Sequence, residues 1–252
     1  MYRKIVLFTL IPTITLLALC FFLVPDIYLL KSDEIEVIRK DIKTGEPVSF
    51  HIGPQHPQWI PIKHVSHFFI NAVIVAEDSR FYEHIGIDFR EIWNSLLTNL
   101  EQGRYARGAS TITQQLVRLT FLTREKTLLR KIREVLGALL LEKILTKEEI
   151  LEWYINLIPL GQHYHGVKEA SHAYFNTEPE FLNIAQSILL AMIIPAPSVW
   201  TPSLIRKSLS EAGQKRFIKI ANSLFSEGYI TSSQLKLVLA SGNFGVPLMV
   251  LK

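Results

Sequence analysis

The run HFFINAVIVA (67–76) is almost wholly apolar and ends in two adjacent carboxylates, Glu77 and Asp78. Acids favour the start of a helix, where the dipole is positive, so a pair at the end needs another reason. An apolar approach desolvates a carboxylate and raises its pKa. That suits a general base or acid, a role worth ~10²–10⁴-fold in rate. Adjacent helical residues do not face each other, so Asp78 should point away from Glu77. Arg80 and His84, at i+3 and i+7, fall roughly on the face of Glu77, while Phe81 and Gly86 offer an aromatic wall and close backbone access. A frayed helix end with solvated acids is the alternative.

A second stretch, RGASTITQQLVR (107–118), is a small-residue loop feeding a helix start rich in hydroxyls and amides. Free N–H groups at such a start bind anions. Ser110, Thr111, Gln114, Gln115 and Arg118 add polar groups for a phosphate or a sugar. Helix capping by Ser110 or Thr111 is the plainer reading, but it would not require two glutamines. In a third stretch, KTLLRKIREVLGALLLEKILTKEEILEWYIN (126–156), Arg130 and Glu134 stand at i, i+4, and Gly137 and Ala138 follow one turn on. Glu134 would then have a basic group on one side and cleared space for a ligand on the other. The alternative is an exposed ion pair worth under ~1 kcal/mol.

Two further patterns carry less. For His163, His165 and His172 no acid or cysteine completes a tight ligand set and the loop offers no fixed geometry, which speaks against a metal. Lys43-Thr44-Gly45 and Ser233-x-x-Lys236 stand in the reverse of the transpeptidase order, with no S-x-N between them, and read as chance.

The elements that must position these groups are mainly helical. The chain has 252 residues, 48% of them hydrophobic, and shows no 20- to 50-residue repeat. No alternating strand pattern stands out. A helix should run from Val65 until Gly86 stops it. Others should start at Asp88 with Glu91, at Thr111 with Gln114, at Thr123, at Thr146 with Glu149, at Asn183, and at Ser208 with Glu211, before a short one near 233–240. Residues 5–24, IVLFTLIPTITLLALCFFLV, are uncharged. That matches the ~20 residues of a membrane-spanning helix. Arg3 and Lys4 precede the run and Asp26, Asp33, Glu34 and Glu36 follow it, which places the N-terminus in the cytoplasm. A cleaved signal peptide is the alternative; a lipoprotein site at Cys20, the only cysteine, is disfavoured by Leu19. The expected organisation is a stub and anchor at 1–24, an extended linker at 25–62 and a helical domain at 63–252.

Net charge is +4, but eight cations against Glu125 make residues 104–133 alone +7. A basic cluster outside a membrane suits anionic headgroups or a phosphate-bearing substrate. Nucleic acid is not an expected partner of an exported, tethered domain.

EDSRFYEHIGID, GASTITQQLVR and RKIREVLGALLLEKILTKEEILEWYIN resemble the first three motifs of the peptidoglycan glycosyltransferases (family 51), the transglycosylase modules of class A penicillin-binding proteins and their monofunctional counterparts. GVKEASHAYF and LLAMIIPAPSVWTP resemble the fourth and fifth, so the likeness covers roughly residues 60–205. The chain's length, with no transpeptidase region in it, fits the monofunctional form. The resemblance implies a mainly α, lysozyme-like, two-lobed domain at the outer leaflet of the cytoplasmic membrane, polymerising lipid II with inversion and release of undecaprenyl pyrophosphate. It implies that Glu77 is the general base and Glu134 the second essential glutamate, with Asp78 shaping the site. It further implies substrate contacts from Ser110, Thr111, Gln114 and Gln115, and pyrophosphate contacts from Arg118, Lys126, Arg130 and Lys131. Mg²⁺ or Mn²⁺ near Glu134 is an optional cofactor. Expected partners are lipid II, the lipid-linked growing glycan, the membrane, and cell-wall synthesis or division proteins. Departures from the family pattern are Leu119 for Asn, GQHYHGV without its second glycine, Asn176-Thr177 for Gly-Lys, and Gln186 for Glu. A lysozyme-like glycan-cleaving enzyme and a non-catalytic cell-wall scaffold are the alternative functions.

Overall fold

The computed structural model describes residues 24–40, 46–103, 108–122, 127–161 and 164–241. Among these are ten α-helices and one β-hairpin. The hairpin lies where an extended linker was expected. Strands β1 (Ile35–Lys40) and β2 (Pro47–Ile52) pair antiparallel, with Ile35 opposite Ile52 and Val37 opposite Phe50. Ile35, Val37 and Ile52 enter the core, but Ile38 is 69% exposed and blurs the alternation that marks a strand. The following segment is also fixed. Trp59 packs edge-on against Trp153, and its Nε1 donates to Glu152. The Ile60 and Ile62 N–H groups donate to Asn156 and Glu152. The described residues 35–40 and 46–62 are thus part of the folded body.

Helix α1 (His67–Glu77) stops at Glu77, well before Gly86, because Asp78 takes an extended conformation at φ −161°. The following helices are α2 (Phe89–Glu101), α3 (Ile112–Phe121), α4 (Leu128–Ile144), α5 (Lys147–Leu157) and α6 (Gly166–Phe175). The chain continues through α7 (Ile184–Ile193), α8 (Pro197–Ile205), α9 (Glu211–Ser226) and α10 (Ser232–Ser241). α7 has no polar face: Ile184 and every residue from Ser187 to Ile193 are buried. A helix apolar all round belongs at the centre, and α1 and α9 pack against it and against each other. α9 turns Phe217, Ile220, Ala221 and Leu224 inward at i, i+3, i+4 and i+7. α3 packs against both α4 and α5.

The helix starts follow local chemistry. Asp88 accepts from the Glu91 N–H, and capping boxes form at Thr111/Gln114, Thr146/Glu149 and Asn183/Gln186. Gln186 fills its capping role without a carboxylate. Asn176, which stands where the family resemblance has glycine, caps α6 at φ 51°, a left-handed conformation that asparagine tolerates. Two expected starts move: Thr127 caps α4 in place of Thr123, and Ser210 caps α9 in place of Ser208.

Helix α2 is unlike the rest. Only Ser95 of its thirteen residues is buried, while Phe89, Ile92, Trp93, Leu96, Leu97 and Leu100 are exposed. Among the described residues no helix is long and apolar enough to cross a membrane. The expected anchor, all but Val24, lies outside them.

Candidate active site

Glu77 sits at the C-terminal end of α1, which its neighbours on α7 and α9 keep dry. Its side chain is 8% exposed. Oε2 accepts from Gln115 Nε2 at 3.0 Å, and Oε1 lies 3.9 Å from Arg216 Nη2. Burial pushes the carboxyl up to about 7, and the Asp78 charge adds to the rise. The Gln115 hydrogen bond and the charges of Arg216 and Arg118 pull the other way. The negative end of the helix dipole also disfavours the anion there.

Gln115 is oriented from behind. Tyr154 is fully buried and its hydroxyl donates to Gln115 Oε1 at 3.0 Å. With the amide oxygen so engaged, Nε2 is the group turned to Glu77. Burial raises the Tyr154 phenol well above its ordinary pKa, so it remains a donor. Gln114, its neighbour, instead accepts from the Thr111 N–H at 3.0 Å and closes the cap of α3. The two glutamines therefore serve capping and Glu77. Thr111 Oγ1 donates to the Gly86 carbonyl at 2.7 Å. Thr111 and Gln114 are both buried, and their side chains hydrogen-bond within the protein.

Asp78 also turns inward. It accepts from the Ile112 N–H at 2.9 Å and from His84 Nε2 at 3.0 Å, tying the end of α1 to the start of α3. His84 Nδ1 accepts from the Gly86 N–H at 3.2 Å, which fixes the proton on Nε2. Arg80 pairs with Glu83 and Asp88. Neither Arg80 nor His84 lies on the face of Glu77, because α1 has already ended. Phe81 is core under Lys147 rather than a wall, and Gly86, at φ 93°, makes room for the Ala138 carbonyl.

Glu134, on α4, has no exposure. Its Oε2 accepts from Arg130 Nη1 at 3.1 Å and lies 3.9 Å from Arg118 Nη1, while Oε1 accepts from Lys131 Nζ. Lys131 also donates to Ser110 Oγ at 3.1 Å. Three cations on one carboxylate leave two positive charges in excess. Arg118 and Lys131 are 36% and 42% exposed, so the excess faces solvent. Arg130 Nε is buried without a partner among the described residues, a donor facing no acceptor. The space expected beside Gly137 is filled: a Cβ there would meet Val117 Cγ1 at 2.7 Å. Lys126 lies outside the described residues.

The residues around Glu134 do not fit Mg²⁺ or Mn²⁺. Such ions need several oxygen ligands. Glu134 is ringed by cations and belongs to no group of three acidic, histidine or cysteine side chains among the described residues. Asp78, His84 and Asp88 do cluster, but Ile112, Gly86, Arg80 and Glu91 already occupy them. His172 pairs with Glu178, and His163 lies outside the described residues.

Sequence reasoning missed Tyr154 and Arg216. Arg216 had a signal: it lies three residues from Gly213 and four from Ile220, on the buried stripe of α9. A cation on an apolar stripe asks for an anion.

A desolvated carboxylate thus lies beside an excess of cations on a helical body. The chain belongs to the transglycosylase family, whose model matches residues 45–223. It is 36% identical over 210 residues to penicillin-binding protein 1A of Escherichia coli, covering 83% of this chain and 24% of that one. It is 38% identical over 183 residues to penicillin-binding protein 1A of Aquifex aeolicus, covering 73% and 25%. It is 38% identical over 163 residues to penicillin-binding protein 1F of Bacillus subtilis, covering 65% and 22%. The chain spans about a quarter of the length of these relatives.

Proposed function

We propose that this chain is a peptidoglycan glycosyltransferase that polymerises lipid II into β-1,4 glycan by an inverting transfer. Membership of the transglycosylase family supports the reaction class. The observation that carries the mechanism is Glu77, 8% exposed and with its carboxyl pushed up to about 7. A base is most effective with a pKa near the working pH. Glu77 takes the proton of the GlcNAc 4-hydroxyl of lipid II. That oxygen attacks C1 of the MurNAc at the reducing end of the lipid-linked chain, and undecaprenyl pyrophosphate leaves. The bond to C1 forms on the face opposite the one that breaks, turning an α-linked donor into a β product. Arg118, Arg130 and Lys131 stabilise the pyrophosphate as its charge grows, with Ser110 steering Lys131. No metal step enters. The pyrophosphate is already a good leaving group, so strong protonation is not needed.

Cleavage of finished glycan is disfavoured because the cationic excess around Glu134 would meet no leaving anion. The exposed apolar face of α2, with Leu128 and Leu129 beside Arg130 and Lys131, supports seating on a membrane surface. Apolar side chains flanked by cations suit the boundary with anionic headgroups. A lysozyme-like, two-lobed arrangement with α2 on the membrane-facing lobe, and an N-terminal anchor that leaves the domain on the outer side of the membrane, fits that placement. Purified protein given labelled lipid II in detergent should make polymer. Cleavage of preformed glycan, or no product at all, would overturn the reading.

A further inference from the structure

Arg216 reaches the site from α9, far along the chain from the three stretches that sequence reasoning singled out. Its guanidinium is partly buried, and burial lowers its pKa. Removing a cation from water needs a nearby anion. Among the described residues, the carboxylate at ion-pair distance is Glu77, at 3.9 Å. Its Nε is buried and makes no hydrogen bond among the described residues. An arginine that merely braced α9 would have its donors taken by carbonyls or carboxylates.

We propose that Arg216 is a positioning residue for the Glu77 carboxylate, facing Oε1 as a nearby cation while Gln115 holds Oε2. The inference rests on the general-base reading of Glu77. The surrounding groups leave this task to Arg216. α7, packed against both α1 and α9, carries no titratable side chain over Ile184–Ile193. α5 contributes the neutral Tyr154 phenol, and Asp78 adds a like charge. Arg118, on α3, also acts on Glu77 but is drawn toward Glu134. Arg216 is thus the cation that Glu77 does not share with the second glutamate. The loose distance matters. A close bidentate pair would hold the carboxylate ionised and weaken it as a base. A cation at 3.9 Å offsets part of the desolvation and leaves Oε1 open to an incoming hydroxyl.

The test uses the full chain in detergent with Arg216→Gln, Arg216→Met as a second neutral replacement keeping the apolar stem, and Arg216→Lys. Isotope-edited infrared difference spectra follow the Glu77 carboxylate, identified by its loss in Glu77→Gln. In parallel, the pH profile of kcat/KM is measured on lipid II. In a neutral variant, both midpoints should rise by about one pH unit. Activity should then fall about tenfold below the midpoint and recover at alkaline pH. Arg216→Lys should bring the midpoint back toward that of the unaltered chain. An unmoved Glu77 titration, with activity lowered equally at every pH, overturns the inference and leaves Arg216 a structural residue. An unaltered chain whose Glu77 does not titrate near neutrality overturns the base reading instead. The two failures are therefore separable.

Discussion

Glu77 and Glu134 are both buried glutamates on helices of the same body, yet their surroundings are opposite. Glu77 has one amide at 3.0 Å and one guanidinium at 3.9 Å. Glu134 has Arg130, Lys131 and Arg118 around its two oxygens. A carboxylate short of partners can take a proton. A carboxylate crowded by cations instead fixes their positions. Arg118 is common to both: it lies 3.9 Å from Glu134, and its charge tempers Glu77. Residue type alone does not separate proton transfer from charge organisation; the partner count does.

The contrast is broken most directly by Glu77→Gln, which keeps shape and removes basicity. Polymerisation should fall ~10²–10⁴-fold, with circular dichroism and lipid II binding retained. Residual turnover above about a tenth would move the base elsewhere.

The same variant tests the desolvation. The Glu77 carboxyl rises from 4.5 to about 7 on folding. Between those values the unfolded chain has released its proton while the folded chain keeps it. Stability therefore falls as pH rises through that window, and the full penalty is present above about 7. Its size is about 3 kcal/mol. The amide that replaces the carboxyl does not titrate, so the variant should melt higher than the unaltered chain at pH 8, with the gap shrinking toward pH 4.5. Parallel melting curves across that range would show that Glu77 is not desolvated as described.

Glu134→Gln attacks the other half. It leaves Arg118, Arg130 and Lys131 around a neutral amide. Removing one partner of a fully enclosed pair costs ~3–5 kcal/mol. Arg118 and Lys131 are partly open to solvent, so about 2 kcal/mol is expected by chemical denaturation. Turnover should drop through displaced cations, while the acidic limb set by Glu77 stays in place. Loss of that limb in Glu134→Gln would mean that the two glutamates have been assigned in reverse.

The parts of this site legible in the sequence are local. The apolar run before Glu77 announces its desolvation, and the i, i+4 spacing of Arg130 and Glu134 announces their pair. Capping residues at Asp88, Thr111, Thr146 and Asn183 mark helix starts because the bond that makes them spans three residues. What stays hidden is non-local. Ile38 on the solvent face masks the hairpin, and Trp59 gives no sign that α5 will receive it. Gln114 and Gln115 look equivalent as letters, yet neighbouring helical positions point about 100° apart. One closes a cap and the other serves Glu77. The space expected beside Gly137 is taken by Val117, from a helix earlier in the chain.

The smallest expected effect sharpens the comparison most finely. Tyr154→Phe removes a single hydroxyl that touches neither the substrate nor either glutamate. Without it, Gln115 Oε1 loses its donor in a buried place, a cost of about 1–3 kcal/mol if nothing relaxes. The amide can relax by turning over, which would present Oε1 to Glu77 and replace an attraction with a repulsion. Either way the donor that holds Glu77 Oε2 weakens, and the protonated form of Glu77 gains. The sign follows: the acidic limb of kcat/KM should move up by a fraction of a pH unit, with activity a few-fold lower at pH 7 and close to normal at pH 9. The Glu134 half should not respond, so turnover at alkaline pH should match the unaltered chain. Phe fills the same volume, so a loss of activity that persists at pH 9 would show that Tyr154 acts through packing of α5 against α3. A limb that does not move would show that Gln115 holds its orientation without the phenol.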